Sequence, residues 1–544
     1  MNNLLRDPLI RIETAMGIER VSLPGVFAAL VADRVESFPA LRAHQAPAWH
    51  MFLAQLGAIA MHRAGLAQPP GDADVWREII HALTASDFPG GEPWQLVVVD
   101  RSRPAFMQPP VPEGATLDSV RGTPDALDML ITSKNHDIKQ AVATSAEADD
   151  WIFAMVNLQT CEGYGGSGNY GAARMNGGSS SRALVGLAPM GAAIASSTGV
   201  RIGTRFTRDV TQLVARRATL LETLQVGYPD DGGSALLWSL TWPQGAKLAL
   251  SQLDPYFIEV CRRIRLSGHA EAFTANIGTS SASRINAEAF KGAIGDPWAP
   301  VHVLENKALT LGDEGEFDYK RIIDLMFSGN WTPPLLATLG PGEEKDASNW
   351  VLIVQAFARG NSKTGGFKER CVPLTGQTAK WIGPRFKELH ELAKQQIEEI
   401  EKVNVIMRGA IALATAGGDA DQVSKKHRIR AKPAGHRLES EADRIFFEAL
   451  WLRFDAELSG LADRVVEARR AFVMQLATAA ENLLVEALAD IPCSAIHRPR
   501  AAARAERRFK SGLRHKDFGF PEFFAPDPIA TPVAPAEETA QDAA

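Results

Sequence analysis

Phe386-Lys-Glu-Leu-His-Glu-Leu-Ala-Lys-Gln-Gln-Ile-Glu-Glu-Ile-Glu-Lys-Val-Asn-Val-Ile-Met-Arg-Gly-Ala-Ile-Ala-Leu-Ala-Thr-Ala416 marks where this chain changes character. Apolar residues recur there at three- and four-residue steps, with charged and polar residues between them. That spacing gathers the apolar side chains along one stripe of an α-helix. The pattern continues downstream. Ser440 to Leu458 reads as a second helix, with Ser440-Glu-Ala-Asp443 ahead of an apolar run as its N-terminal cap. Ala462 to Ala489 reads as a third helix, and Ala501 to Lys510 or beyond as a fourth. Helices of this length joined by short links predict an antiparallel four-helix bundle over 379–518. Residues 519–544, rich in Pro, Ala and acid, read as a disordered tail.

Upstream the texture differs. Residues 1–378 mix short apolar runs with frequent glycine and proline. Leu96 to Val99, Leu236 to Leu240 and Trp350 to Val354 read as strands. Pro47 to Ala60 is apolar on most faces and reads as a buried helix. The fold class is therefore α+β: a large irregular mixed N-terminal domain followed by a C-terminal four-helix bundle.

The richest local signal is Cys161-Glu-Gly-Tyr-Gly-Gly-Ser-Gly-Asn-Tyr-Gly-Ala-Ala-Arg-Met-Asn-Gly-Gly178, with seven glycines between Gly163 and Gly178. Glycine backbone can lie flat against another surface. Tyr164, Tyr170, Arg174 and Arg182 are interleaved, with rings to pack and guanidinium groups to reach phosphates. A phosphate-binding loop is excluded because no lysine is present. The other reading is a long surface loop.

Two basic clusters stand out in a chain of net charge −6. Lys425 to Arg437, linking the first two bundle helices, holds Lys425, Lys426, Arg428 and Arg430 among six cations in 13 residues. The other runs from Arg498 to Lys516 and includes Arg504, Arg507 and Arg508, with Glu506 as its one acid. Both suit a nucleic-acid backbone; the alternatives are a solvated face or an acidic protein partner. With the whole chain acidic, any nucleic-acid contact has to be local. Phe357 to Arg370 reads as a β-hairpin that reverses with the help of Gly360 and the Gly365-Gly366 pair, its polar tip carrying Asn361, Ser362 and Lys363. Such a tip can insert between bases or be a plain surface turn.

Catalytic sets are scarce. His136 and Asp137, in Ser133 to Lys139, form the one compact nuclease-like pair, without a second acidic cluster at metal-ligand spacing. A metal-dependent nuclease or hydrolase at His136/Asp137 is the alternative function, and a polar loop the structural one. Cys161, Cys261, Cys371 and Cys493 lie far apart, so neither a zinc ribbon nor a disulfide framework is implied. No metal, cofactor or catalytic residue is expected. The first residues, Met1 to Pro8, lack the apolar core of a signal peptide, and no run approaches 18 apolar residues. The expectation is a cytoplasmic protein with no membrane partner.

The order of these elements resembles the CasA family, the large subunit of the type I-E CRISPR surveillance complex Cascade. Asn3-Leu-Leu-Arg-Asp7 is similar to that family's start, and Phe106-Met-Gln108 to one of its short motifs. Leu130 to Asp137 sits where the family has its first loop. Gly163-Tyr-Gly-Gly166 resembles its glycine loop, and Ala358 to Arg370 the hairpin that acts as its wedge. Lys291-Gly-Ala-Ile-Gly-Asp-Pro-Trp298 resembles the segment at its lysine finger, with Arg284 as the alternative to Lys291. The resemblance covers about residues 1–515. It implies a non-catalytic, antiviral subunit that recognises a protospacer-adjacent motif in double-stranded DNA. Duplex opening, R-loop formation and recruitment of a helicase-nuclease follow. The implied partners are CRISPR RNA, target DNA, the CasB, CasC and CasD subunits and that helicase-nuclease. Gly163, Tyr164, Gly165, Gly166, Lys291, Asn361, Ser362 and Lys363 would meet the motif. Lys134, Asn135 and His136 would meet guide RNA or the neighbouring subunit. Two departures stand out: only Cys261 lies where some members cluster four cysteines, and the tip carries Asn361-Ser-Lys363 where a glutamine can occur.

Overall fold

The computed structural model describes residues 2–128, 146–191, 199–224, 226–268, 272–343, 349–360, 363–382 and 386–524. The fold is α+β, and the chain divides into two compact units, Met1–His390 and Glu391–Ala544.

The first unit is built around helix α1 (Ala46–Arg63), in which every residue from Pro47 to Met61 is buried. An apolar run without a polar face has to be covered on all sides. Cover comes from helices α2 (Ala148–Cys161) and α3 (Ile202–Ala215) and from the strand Leu253–Ile258. Aromatic rings interlock there: Trp49 lies 5.4 Å from Phe52 and 4.9 Å from Phe153. The two buried polar residues on α1 are both satisfied. His50 Nε2 lies 2.8 Å from an Asp209 carboxylate oxygen. Gln55 Nε2 donates to the carbonyls of Tyr256 and Phe257, each at 3.0 Å.

A three-stranded antiparallel sheet stands beside this core. Strands β1 (Leu184–Pro189), β2 (Trp350–Gly360) and β3 (Lys363–Leu374) are ordered β3-β2-β1. Strand β2 is buried from Trp350 to Ala358, which is why that stretch is apolar except for Gln355. β2 and β3 form the expected hairpin, paired from Trp350↔Leu374 to Gly360↔Lys363, with a register shift at Ala358/Arg359.

Two expected strands fail. Leu96 to Val99 forms no strand: Leu96 donates one hydrogen bond to the Asn2 carbonyl, and Val99 is 95% exposed. The strand Ser234–Leu236 stops where Leu237–Ser239 makes a 3-10 turn. The turn inserts the Trp238 ring 5.8 Å from both Trp94 and Phe106, and its indole N–H bonds to the Pro93 carbonyl at 2.9 Å. Burial of one large ring outweighs continuation of a ladder there.

Four long helices dominate the second unit. α4 (Phe386–Thr415) enters it from the first unit; α6 (Lys432–Ser459), α7 (Ala462–Ala489) and α8 (Arg498–Leu513) follow. The short helix α5 (Lys425–Arg430) lies between α4 and α6. Lys425 to Arg437 is therefore not an irregular link but helical on both sides of Ala431. Ser440 is likewise not a cap. It sits inside α6 with its hydroxyl bonded back to the His436 carbonyl at 3.1 Å. The helix starts earlier because Pro433 is in its first turn, where the fixed φ and missing N–H cost nothing. Gly460, at φ +67°, turns α6 into α7.

The packed unit also extends past residue 518. Phe520 is fully buried, and Glu522 and Phe523 both engage Arg469, so the expected tail begins later than 519. Residues 525–544 lie outside the described ones. Among the described helices, α7 is long and apolar enough to cross a membrane on length and composition, with mean hydropathy 1.3. In the unit it buries Phe472, Leu476, Ala480 and Leu483 and packs along α6.

A buried ion pair joins α4 to α6: Arg453 donates to Glu399 at 2.8 Å, both side chains being at most 5% exposed. Glu399→Leu should leave the Arg453 guanidinium buried and uncompensated, costing about 3–5 kcal/mol. The double change Glu399→Leu/Arg453→Leu should recover most of that loss. Thermal unfolding followed by circular dichroism measures both, and a double variant no better than the single one would refute the assignment.

Candidate nucleic-acid interface

The glycine loop runs from α2 into β1, and its ends are tied together. Glu162 bridges to Ser181, and the Arg182 N–H donates to the Cys161 carbonyl at 3.0 Å. Inside, Tyr164 N–H bonds to the Gly178 carbonyl at 2.6 Å and Gly165 N–H to the Asn169 carbonyl at 2.9 Å. The glycines divide into two kinds. A Cβ on Gly163 would stand 2.5 Å from the carbonyl oxygens of Gly178 and Ser180, and one on Gly171 would stand 2.8 Å from the Gly163 carbonyl carbon. Those two glycines let the loop fold on itself. Gly166 (φ +108°), Gly177 (φ +62°) and Gly178 (φ +74°) instead face open space, with nothing within 4 Å of an added Cβ. They present bare backbone outward.

The arginines of the loop do not reach outward. Arg174 is buried, donates to the Pro255 carbonyl at 3.0 Å and lies over the Phe257 ring at 4.2 Å. Arg182 is buried in a two-pronged pair with Asp296, at 2.5 Å and 2.7 Å, and also donates to Gln55 on α1 at 3.3 Å. Neither is available to a phosphate, which corrects the sequence reading. Each found an acceptor brought close only by the fold. Arg262, which the sequence reading passed over, supports the loop from below. Its guanidinium donates to the Gly163 carbonyl at 2.7 Å, to Glu162 at 3.3 Å and to the Tyr170 carbonyl. Burial pushes the Glu162 carboxyl up to about 7 against the pull of Arg262.

The same network positions Lys291. Asp296, held by Arg182, accepts from Trp298 N–H at 3.1 Å and so fixes the segment following Lys291. Gly292 (φ +80°) backs onto the loop so closely that a Cβ would stand 2.6 Å from the Met175 carbonyl carbon. Lys291 itself is exposed, at φ +48°, at the end of a 3-10 turn. Together with Tyr164, Tyr170, Asn176, Gly177 and Gly178 it lines a cleft of about 470 Å³. Tyr164 is 44% exposed, and its ring lies 6.3 Å from that of Tyr170. Arg284 lines the same cleft but is buried; it donates to the carbonyls of Thr241 and Leu240 and lies over Trp242 at 5.1 Å. Lys291, not Arg284, is the free cation of the two.

The hairpin is tied to the same loop. Phe357 N–H donates to the Ser181 hydroxyl at 2.7 Å, and Ser181 N–H to the Phe357 carbonyl at 3.3 Å. Beyond that, Gly365 packs against Asp313, whose carbonyl oxygen would stand 2.1 Å from an added Cβ. Lys363 begins β3 opposite Gly360; Asn361 and Ser362 lie outside the described residues. So do Lys134, Asn135, His136 and Asp137. In the second unit, Lys425, Lys426, Arg428 and Arg430 are exposed on α5, and Arg504, Arg507 and Arg508 are exposed on α8. Arg504 also donates to the Gly418 carbonyl at 2.7 Å.

Among the described residues, no three His, Cys, Asp or Glu side chains are placed to hold a metal ion. Bare backbone, a tyrosine pair and Lys291, with Glu288 and the buried Glu259 and Arg284 also on the wall, instead make a site that can contact and position a ligand. The fold and site thus define a two-unit α+β protein whose glycine loop, lysine turn and hairpin base share one hydrogen-bonded frame. No family model and no curated protein matches the chain. Solved structures do: the fold is that of the Cse1 (CasA) proteins. Thermobifida fusca Cse1 is similar with TM-score 0.62 at 14% identity, over 94% of this chain and 97% of that one. Thermus thermophilus CasA (Cse1) is similar with TM-score 0.55 at 13% identity, over 94% and 98%. A chain of a CRISPR RNA-guided surveillance complex is similar with TM-score 0.54 at 13% identity, over 94% and 99%.

Two outcomes follow for the frame beneath the loop. Asp296→Asn should strand Arg182 and destabilise the first unit by about 3–5 kcal/mol, seen in its thermal midpoint. The Glu162 carboxyl holds a proton in the folded state that the unfolded chain releases above its ordinary pKa. Its contribution is therefore fully present at acid pH and is lost as pH rises through about 7. Melting temperature should fall between about pH 4.5 and 7, and Glu162→Gln should flatten that fall; an unchanged pH dependence in the variant would exclude Glu162 as its source.

Proposed function

We propose that this chain is the large, Cse1/CasA-type subunit of a type I-E CRISPR surveillance complex. In this reading it is a non-catalytic, cytoplasmic subunit that recognises a short protospacer-adjacent motif in double-stranded DNA. It then promotes duplex opening and R-loop formation and recruits the helicase-nuclease. Guide RNA pairing supplies the sequence specificity, as in other RNA-guided systems. CRISPR RNA, target DNA and the CasB, CasC and CasD subunits are its partners, with Lys134 to His136 meeting the guide RNA end or the subunit that holds it.

One observation carries the reading. Outward-facing Gly177 and Gly178 share a cleft with the free Lys291, Gly166 faces open space on the same loop, and the base of the hairpin is hydrogen-bonded to that loop at Ser181. The minor groove is about 6 Å wide and displays a degenerate donor–acceptor pattern. Backbone without side chains can approach that floor where a bulky side chain would collide. A reader built this way tolerates several related motifs. Lys291 adds a cation beside them, and a hairpin fixed to the reading loop is positioned to separate the adjacent base pair. The exposed cations of the second unit supply the backbone attraction that the net-acidic chain lacks as a whole.

The test is a binding titration of the assembled complex against duplexes with a randomised flanking trinucleotide. Gly166→Ala and Gly166→Leu share the same backbone strain, but only leucine adds bulk. Leu should therefore erase motif discrimination that Ala retains; equal discrimination in the two would end the minor-groove reading. Lys291→Ala should cost about 1–3 kcal/mol at motif DNA if it meets a base edge, and a uniform loss on all duplexes if it meets phosphate.

Strand opening has its own readout. Removing Asn361 and Ser362 should slow guide–target pairing on linear duplex. The defect should vanish on DNA pre-melted beside the motif, because unstacking a base step costs a few kcal/mol that the bubble has already supplied. Equal impairment on both substrates would make the hairpin a structural element only.

A further inference from the structure

The second unit contains a cavity of about 410 Å³ into which three arginines converge: Arg408 from α4, Arg428 from α5 and Arg508 from α8. Its remaining wall is apolar, with Val405, Ala412 and Val423, and no carboxylate lines it. Arginine side chains on a protein surface ordinarily spread into water or pair with acids. Three drawn together without an acid repel one another, and an anion relieves that repulsion. The Arg408 Nε is buried and has no hydrogen-bond partner among the described residues. A buried guanidinium N–H without a partner is costly, and a bound anion would satisfy it.

The backbone around the cavity is shaped to bring these groups together. A Cβ on Gly435 would stand 2.7 Å from the Arg408 Cδ, so α6 lets the Arg408 stem lie against its backbone. A Cβ on Gly409 would approach the Arg508 Nε at 3.4 Å, so the Arg508 side chain reaches across α4. Arg504, one turn before Arg508, donates to the Gly418 carbonyl and fastens α8 to the loop that leads into α5.

We infer that this cavity seats a phosphate group of a nucleic-acid strand, bound by Arg408, Arg428 and Arg508 together. A planar guanidinium matches phosphate oxygens in a two-pronged geometry, and three of them surround one phosphate. A polymer is favoured over a free small anion because the mouth continues into exposed cations. Lys425, Lys426 and Arg430 share α5 with Arg428, and Arg507 shares α8 with Arg508. The two basic clusters that look separate in the sequence are thus joined, through Arg408, into one binding feature. The inference rests on the reading that this protein meets nucleic acid but is independent of motif recognition.

The experiment titrates a labelled single-stranded oligonucleotide into the full chain across about 50–300 mM salt. Wild type is compared with Arg408→Gln, Arg428→Gln, Arg508→Gln and the exposed control Arg464→Gln on α7, with folding verified by circular dichroism. Each pocket variant should weaken binding about tenfold, as for loss of a hydrogen bond to a charged group, and flatten the slope of log affinity against log salt by at most about 0.7, the share of one phosphate. The control should move neither. Arg428 and Arg508 are exposed, so their removal spares the fold even if Arg408→Gln does not. Pocket variants that match the control overturn the inference. So does a thermal shift with inorganic phosphate that Arg508→Gln abolishes while oligonucleotide affinity is unchanged, since the site would then hold a free anion. In the assembled complex, pocket variants should weaken motif-bearing and motif-free duplexes alike; a change in motif preference instead would place the fault in the cleft reading.

Discussion

The two-pronged contact between Arg182 and Asp296 lies under everything this protein presents at its cleft. Both side chains are 1% exposed. Burying two charges consumes most of what their attraction returns, so such a pair is a weak source of stability. What it supplies is position. Arg182 ends the glycine loop, and Asp296 lies in the segment that begins at Lys291. Gln55 joins them from the buried helix, and the Trp298 ring lies 5.5 Å from the Arg182 guanidinium. An apolar replacement would pack as densely but would leave the loop free to slide against the lysine turn. Neighbouring Ser181 then carries the hydrogen bonds to Phe357, so the hairpin inherits the same reference point.

The glycines acquire meaning from that frame. Gly163 and Gly171 are required because backbone packs on backbone, and the loop cannot close otherwise. Gly166, Gly177 and Gly178 are not needed for closure, since a Cβ there meets nothing. Their positive φ angles make the loop turn, and their lack of a side chain leaves the outward surface bare. One composition thus serves two demands. Arg262 makes it affordable: its donors satisfy the carbonyls of Gly163 and Tyr170, which a loop without regular hydrogen bonding would otherwise leave unpaired.

Some of this was legible in the sequence for plain physical reasons. The hairpin was legible because Trp350 to Ala358 is almost wholly apolar and Gly360 stands where the chain reverses; Gly365-Gly366 falls instead inside the return strand, where Gly366 pairs with Ala358. The bundle helices α4 and α7 carried their period over many residues, where tertiary effects average out, and α1 was legible as a long apolar run without a polar face. Short signals failed. Leu96 to Val99 and Leu237 to Leu240 have strand composition but are claimed by single side-chain burials such as Trp238. Ser440 looked like a cap, yet Pro433 lies upstream and is a stronger start signal. Arg174 and Arg182 looked solvent-facing among glycines. The acceptor for Arg182 is 114 residues away in sequence, and no local pattern announces it. The cavity of Arg408, Arg428 and Arg508 was hidden for the same reason, since its members come from three separate helices.

The distribution of arginine separates two uses of one side chain. In the first unit Arg174, Arg182, Arg262 and Arg284 are buried and bonded to carbonyls or carboxylates, and their charge is consumed in holding loops. In the second unit the arginines of α5 and α8 are exposed, and Arg408, Arg428 and Arg508 line one cavity. A net charge of −6 conceals this division, because it counts both kinds alike. Electrostatic attraction to a polyanion depends on the free cations within about a Debye length of the contact, about 8–10 Å at physiological salt. A chain acidic as a whole can therefore attract nucleic acid at one place and repel it elsewhere. Such a local contrast would confine a bound polyanion to one path, which a uniformly basic surface would not do.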